Sequence, residues 1–270
     1  MQNSQLPYWI DCSLAFYGKE QLFTELYSSC GSVQGAFEAS GLKRTQAEII
    51  HKIISDCELC GIQIITQADP AFPKSMFAAV PPVLLYVKGD VSALVHKKTA
   101  GIIGARSASD DSLRICYDFS RQLAAKGTVI VSGFAAGTDQ CAHKACIDAN
   151  GRTVAVLGCG IGYDYPSGSL GLQEKIAQNG AVISEHPPFI PPQREFFRRR
   201  NRLIAALSAK LLIIEASDRS GCLNTAGHAL ELGKDIYVIP PADIRSPRYQ
   251  GQVGLIRDGA HIAFEADDIY

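Results

Sequence analysis

The residues best suited to chemistry in this sequence are glycines, small hydroxyls and arginines in three short segments, 104–109, 132–139 and 217–226. Glycine lets backbone N–H groups approach an anion closely, and a helix start adds unpaired donors. Arg106 and Arg219 add planar guanidinium groups, each of which can donate two hydrogen bonds to a phosphate. One such loop usually serves only as a turn and a helix cap. Three of them, two with an arginine, favour a phosphate or nucleotide site. The candidate residues are Gly104, Arg106, Ser107, Ser109, Ser132, Gly133, Gly137, Arg219, Ser220, Gly221 and Thr225.

A further segment, 194–202, holds five arginines within nine residues, together with two phenylalanines. Arginines neutralise phosphates, and aromatic rings stack on exposed bases at about 1–3 kcal/mol per base. Bases are free to stack in this way where the strand is unpaired. One phenylalanine is expected in the core. The segment favours single-stranded DNA as the ligand. Its candidate contacts are Arg194, Phe197, Arg200, Asn201 and Arg202.

The motifs of common nucleotide enzymes and metal sites are missing. The first glycine loop lacks the G-x-G-x-x-G spacing of dinucleotide sites, and no Walker lysine motif occurs. Asp139 and His143 share a helical spacing, but no nucleophile or third ligand accompanies them. Cys57 and Cys60 form one C-x-x-C without the second ligand pair that structural zinc requires. We therefore predict no catalytic residue, no metal site and no cofactor.

Two carboxylates, Glu185 and Glu215, follow apolar runs. Such a pair could act as an acid and a base. More often such residues hold arginines in place, and Arg200 and Arg202 are possible partners.

The bulk composition limits the class of protein. The net charge of −1 over 270 residues means that any nucleic-acid contact must come from a local cluster. The nine cysteines are scattered, and residues 1–10 lack a basic start and an apolar run. We interpret the cysteines as free thiols in a reducing cytoplasm. No apolar stretch has the length of a membrane span, so we expect no membrane contact.

From residue 98 onward, short apolar runs alternate with helix-length segments. The predicted strands are 101–103, 129–131, 154–157, 181–183, 211–214 and 236–239, and the predicted helices are 113–126, 139–148, 172–179, 200–208 and 223–232. Runs that are apolar throughout are typical of a parallel sheet covered on both faces. The alternation predicts a doubly wound α/β fold, whose ligands bind beyond the carboxyl ends of the strands. Residues 1–65 are predicted to form a small helical domain, and residues 66–270 the ligand-binding domain.

Taken together, the motifs from about residue 62 to residue 264 resemble the DNA-processing protein A family (DprA, also called Smf). The ordered series is specific, although each piece alone is weak. The matching pieces include Gly104-x-Arg106, Ser132-Gly133-x-Ala135-x-Gly137-x-Asp139, Phe197-x-x-Arg200-Asn201-Arg202 and Ser220-Gly221 with Thr225-Ala226.

The resemblance implies an extended Rossmann-like domain in a non-catalytic protein. By this resemblance the chain binds single-stranded DNA, forms a homodimer and loads a RecA-type recombinase during natural transformation. Arg106, the loop 132–137 and the segment 200–202 would then line the DNA groove. The sequence departs from the family pattern at Asp111 and Ser112, where Tyr-Gly is usual, and at Ser169, where Asn is usual.

Two alternatives stay open at this point. One is a phosphoribohydrolase on a related sheet, although the loop 220–226 lacks the double glycine and the glutamate of those enzymes. The other is a nucleotide-sensing module with no DNA role.

Overall fold

A nine-stranded sheet forms the centre of the computed structural model, which describes residues 5–270. Residues 1–4, the start of the predicted N-terminal domain, lie outside the described residues. The strands are β1 (Ile62–Thr66), β2 (Leu84–Gly89), β3 (Thr99–Ile103), β4 (Val129–Ser132), β5 (Thr153–Val156), β6 (Gly180–Ser184), β7 (Lys210–Ile213), β8 (Asp235–Val238) and β9 (His261–Ile262).

Ten α-helices accompany these strands in the described part of the chain. They are α1 (Leu6–Ala15), α2 (Glu20–Cys30), α3 (Val33–Ser40), α4 (Ala47–Cys60), α5 (Asp110–Ala125), α6 (Thr138–Asp148), α7 (Leu170–Gln178), α8 (Arg194–Leu207), α9 (Gly221–Glu231) and α10 (Gln250–Arg257). Short 3₁₀ helices lie at Lys74–Ala78, Val91–Val95, Pro247–Tyr249 and Ala266–Asp268.

The strand order is β1-β2-β6-β5-β4-β3-β7-β8-β9. All neighbours from β6 to β9 pair in parallel, whereas β1 and β2 pair antiparallel at one edge. From β3 the chain adds β4, β5 and β6 on one side and then returns to add β7 on the other. This reversal places a topological switch point between β3 and β7, where sheets of this class bind ligands.

Helices cover both faces of the sheet, as shown by successive strand residues that pack into different apolar clusters. Val129 and Val131 join a cluster with Leu203 of α8, while Ile130 joins another cluster with Leu123 of α5. The sequence prediction of an α/β, Rossmann-like, mostly parallel doubly wound sheet is therefore confirmed.

The helices α1–α4 pack on the sheet. Trp9 and Phe23 share one apolar cluster with Tyr86 of β2 and Ala155 of β5. Residues 62–66, which read as a strand in the sequence, form β1 and pair with β2, for example Ile64 with Tyr86, so the strand crosses the predicted boundary at residue 65. The two-domain division itself stays a prediction.

The six strands and five helices predicted after residue 98 are all present, with shifted ends. The largest shift is in α8, which begins at Arg194 and not at Arg200. Helices α1 and α3 lie in the region predicted as helical, although their bounds were not predicted, and no pattern indicated α10 or the two-residue strand β9. Among the helices of residues 5–270, none combines the length and apolar character needed to cross a bilayer.

Candidate nucleic-acid interface

A cleft of about 680 Å³ opens at the switch point, beyond the carboxyl ends of β3 and β7. One wall is the loop that follows β3, and the opposite wall is the loop that follows β7 together with the start of α9. The first turns of α8 form the third side. Three segments distant in sequence therefore meet here. Two of them are loops that the sequence predicted at this edge, and the third is the start of α8. Of the predicted loop after β4, only Ala135 and Asp139 reach the walls.

The walls of this cleft are strongly basic. They carry five arginines and one carboxylate, Asp139. The arginines are Arg106, Arg194, Arg198, Arg200 and Arg219. All except Arg200 are exposed, and Arg198 lies 3.9 Å from its acidic neighbour Glu195. The other three exposed arginines form no ion pair with any residue in 5–270. Such a concentration of unpaired positive charge raises the local concentration of an anionic ligand.

An aromatic platform lies beside these charges. The guanidinium carbon of Arg106 is 5.5 Å from the centre of the Phe197 ring, and the Tyr165 ring centre is 5.2 Å from that of Phe197. A Cβ atom at Gly158 would lie 2.5 Å from Cδ1 of Phe197, so only glycine leaves room for the ring. The half-exposed ring and the guanidinium together present a surface on which a planar base can stack.

Two glycines let the loops after β3 and β4 pack backbone to backbone. Gly137 has a φ of 77°, and a Cβ atom there would come within 2.4 Å of the carbonyl oxygen of Arg106. A Cβ atom at Gly104 would lie 2.5 Å from Oγ1 of Thr138. That hydroxyl donates to the carbonyl of Ala105 over 3.1 Å. These glycines therefore allow the close packing of the loop that carries Arg106 against the start of α6.

Arg200 anchors α8 to the ends of two strands. Its Nη1 donates to the carbonyl oxygen of Gly133 at 2.5 Å and to that of Val156. The Asp139 carboxylate lies close by and accepts from the backbone N–H of Ala135 at 3.2 Å. Burial raises the pKa of Asp139 to about 6, although the charge of Arg200 acts against that rise. Arg200 thus reaches the cleft from a buried position held by the main chain.

Arg202 differs from the expectation that it lines the same groove. Its guanidinium donates from Nη1 and Nη2 to the two oxygens of Glu185 at 2.7 and 2.5 Å, and from Nε to the carbonyl of Val80 at 2.8 Å. Both charged side chains are only 8% exposed. Burial opposes ionisation of Glu185, but Arg202 outweighs it and holds the pKa of Glu185 below its usual range. The structure thus pairs Arg202 with the carboxylate of Glu185, and holding an arginine was one of the two roles considered for Glu185. Arg202 itself lies outside the cleft walls.

Two predicted serines also serve the fold. Ser109 accepts from the N–H of Ser112 at 3.2 Å, which caps α5, and donates to Glu215 at 3.1 Å. Ser132 is fully buried and donates to the carbonyl of Ile102 at 2.6 Å. Burial works against ionisation of Glu215, but hydrogen bonds, including those from Ser109, leave its pKa below the usual range.

The predicted site residues therefore fall into two groups. On the cleft walls lie Gly104, Arg106, Ser107, Arg194, Phe197, Arg200, Asn201, Arg219, Ser220, Gly221 and Thr225. Outside the walls lie Ser109, Ser132, Gly133, Gly137 and Arg202. Those in the second group support the loops or the helix that carry the first.

Sequence reasoning missed some residues of the site. Arg198 and Asn224 line the cleft, and both stand in segments that the sequence singled out. Arg248 donates from Nη1 to the carbonyl of Ser107 at 2.8 Å and to Glu215 at 2.7 Å. No periodicity marks the segment around Arg248, so nothing in the sequence pointed to it.

The structure shows no metal centre among residues 5–270, since no three side chains of His, Cys, Asp or Glu come together there. The nine cysteines are all free thiols.

Comparison with known proteins identifies the family. The sequence model of the family described as DNA recombination-mediator protein A matches residues 63–270. The chain belongs to this family. The family resemblance inferred from the motifs is thereby confirmed, and the match begins close to the first residue of β1.

Curated relatives agree with this assignment to the recombination-mediator protein A family. DNA processing protein DprA of Bacillus subtilis is 35% identical over 209 residues, which cover 77% of this chain and 69% of that protein. Protein Smf of Escherichia coli is 38% identical over 200 residues, which cover 73% of this chain and 53% of that protein. The aligned region is therefore about half to two thirds of the length of these relatives.

Two solved structures of DNA processing protein A share the fold of this family member. The protein from Streptococcus pneumoniae has a TM-score of 0.77 and 28% identity, over 99% of this chain and 94% of that one. The protein from Helicobacter pylori has a TM-score of 0.69 and 31% identity, over 77% and 94%. The Helicobacter pylori structure was described for its single-stranded DNA binding mode.

Proposed function

We propose that this chain binds single-stranded DNA in the arginine-lined cleft. The observation that carries the proposal is the pairing of exposed arginines with the half-exposed Phe197 ring at the switch point. The arginines suit the phosphates, and the ring suits a base that is not paired with another strand. The single-stranded DNA binding of the Helicobacter pylori relative supports the same ligand.

The wider role that we propose is to protect incoming DNA and to load a RecA-type recombinase onto it during natural transformation. The family description as a recombination mediator supports this role. We propose that the chain acts in the cytoplasm, as a homodimer, by binding and without catalysis or a cofactor. Among residues 5–270, the cleft walls carry no histidine and a single carboxylate, that of Asp139, and burial raises the pKa of the Cys222 thiol to about 12.

Fluorescence anisotropy with labelled single-stranded and duplex oligonucleotides tests the binding. We expect preference for the single strand. In Arg106→Ala, the plot of log affinity against log salt should become shallower by about 0.7, since one phosphate contact is lost. Arg121→Ala is the matched control, because Arg121 is exposed on α5, away from the cleft.

Equal affinity of Arg106→Ala and the unmodified chain would contradict the proposed site. Tight binding of a mononucleotide without competition from oligonucleotides would favour nucleotide sensing, and release of a free base from a nucleoside monophosphate would favour the phosphoribohydrolase.

Adding a RecA-type recombinase and ATP to the labelled strand tests loading: the unmodified chain should speed filament assembly more than Arg106→Ala does.

A further inference from the structure

A second cleft lies at the opposite end of the sheet. It has a volume of about 410 Å³, within the range of ligand sites, and is lined by Thr99 at the start of β3 and by Ala209 just before β7. The arginine-lined cleft lies beyond the other ends of the same two strands. A five-residue strand such as β3 is about 16 Å long, so the two clefts are separated by the full length of the strand.

The walls of this second cleft are basic, and within the described part of the chain they include no aspartate or glutamate. They carry Lys74, Lys97 and Lys234 together with His96. None of the three lysines forms an ion pair with a residue in the described part of the chain. Three unpaired ammonium groups around one depression repel one another, in a protein whose net charge is −1. A bound anion would relieve this repulsion.

The floor of the second cleft is apolar. Phe72, Leu94 and Leu207 line it and are 2%, 4% and 6% exposed. At its edge, Val95 is 50% exposed. The apolar surface open to a ligand is therefore mainly that of Val95 beside this floor, so a ligand that fills the depression needs an apolar group there and negative charges for the basic walls.

The chemistry of the walls favours a peptide over a nucleic acid. Among residues 5–270, the walls of this cleft have no arginine fork. Phe72 is too deeply buried to stack on a base, and the one exposed ring is the imidazole of His96, whose Nδ1 lies 3.0 Å from the carbonyl oxygen of Lys98. Lysine provides a compact charge that pairs with a carboxylate without a planar partner. Burial of an aliphatic side chain on the floor would supply the anchor that peptide interfaces need. We propose that this cleft binds a segment of a partner protein that combines acidic residues with an aliphatic side chain.

A fluorescein-labelled peptide of eight residues, two leucines flanked by aspartates and glutamates, tests the proposal on the full chain. We expect saturable binding that weakens with salt. The double variant Lys97→Glu with Lys234→Glu should weaken binding about tenfold or more, because two attractions become repulsions. The matched control is Lys43→Glu with Lys144→Glu, two exposed lysines outside this cleft. A peptide with serines in place of the leucines should bind more weakly, because it leaves the floor uncovered.

The proposal fails if the peptide does not bind, or if the Lys97 and Lys234 reversals act no more strongly than the control pair. Displacement of the peptide by DNA, in a chain that also carries Arg106→Ala, would assign the cleft to nucleic acid instead. The proposal is independent of the DNA site: Arg106→Ala should keep peptide affinity, and the lysine reversals should keep the preference for single-stranded DNA.

Discussion

Helix α8 has two sides that use the same residue type in opposite ways. On the cleft side, Arg194 and Arg198 are exposed and offer their charges to a ligand. On the other sides, Arg199, Arg200 and Arg202 are turned into the protein and hold the helix in place, although Arg200 also reaches the edge of the cleft. Arg199, for example, donates to both oxygens of Glu20 in α2 at 2.6 Å.

The helical repeat separates the two sides. At about 100° per residue, Arg194, Phe197, Arg198 and Asn201 fall within one third of the helix circumference, and that third faces the cleft. Arg199 and Arg202 lie beyond one edge of it and Arg200 beyond the other. A dense group of arginines is therefore no measure of the charge offered to a ligand. The angle around the helix decides whether an arginine faces the cleft or supports the helix.

The largest effect should come from the supporting side. Arg202→Ala should lower the free energy of unfolding by about 3–5 kcal/mol, because it leaves the Glu185 carboxylate buried without its partner. Urea denaturation measures this. Arg198→Ala on the cleft side is the control and should change stability by less than about 0.5 kcal/mol. Adding Glu185→Gln to Arg202→Ala should recover part of the loss. Equal stability of the two single variants would show that the Arg202–Glu185 pair does not support the fold.

The buried region behind Arg200 should also make the free energy of unfolding depend on pH. His143 is fully buried, its Nδ1 is 2.7 Å from Oγ1 of Thr153, and burial, with the charge of Arg200 second, lowers its pKa to about 3. In the unfolded chain a histidine binds a proton near pH 6.5. The unfolded state therefore binds more protons between pH 6.5 and about 3, and stability falls as the pH falls through that window, by up to about 1.4 kcal/mol per pH unit.

Denaturation curves at several pH values measure this slope. His143→Gln should flatten it, since glutamine has no proton to bind, whereas His51→Gln, at an exposed position on α4, should leave it unchanged. An unchanged slope in His143→Gln would show that His143 is not kept neutral by the fold.

The smallest effect should appear on the cleft side, at the aromatic platform. Phe197→Leu keeps an apolar group over Gly158 but removes the ring, so affinity for single-stranded DNA should fall about fivefold or more, the low end of base stacking. An abasic oligonucleotide provides the control, because it has phosphates and no bases. If Phe197→Leu weakens binding of the abasic strand just as much, the ring supports the cleft and does not stack on a base.

The sheet and its two-sided cover could be predicted from sequence because the buried strands are apolar at every position. The edge of the sheet at which the cleft lies followed from the same prediction, since the loops after parallel strands share one edge. The roles of single arginines could not be predicted in this way. The predicted start of α8 at Arg200 left Arg194 and Phe197 outside the helix, so their angle relative to Arg202 was unknown. The carboxylates that engage Arg199 and Arg248, Glu20 and Glu215, lie far away in sequence, and only the fold brings them close.

The fixed seating of α8 has a consequence for the thermodynamics of binding. Arg200 and Arg202 tie the helix to backbone carbonyls and to Glu185, and Arg199 ties it to the N-terminal helices through Glu20. The platform on this helix is then in place before a ligand arrives, and the protein loses little conformational entropy when one binds. For the proposed DNA ligand, most of the conformational entropy lost on binding is then lost by the DNA. The stiffness of the single-stranded DNA should therefore affect the affinity as much as any side chain does.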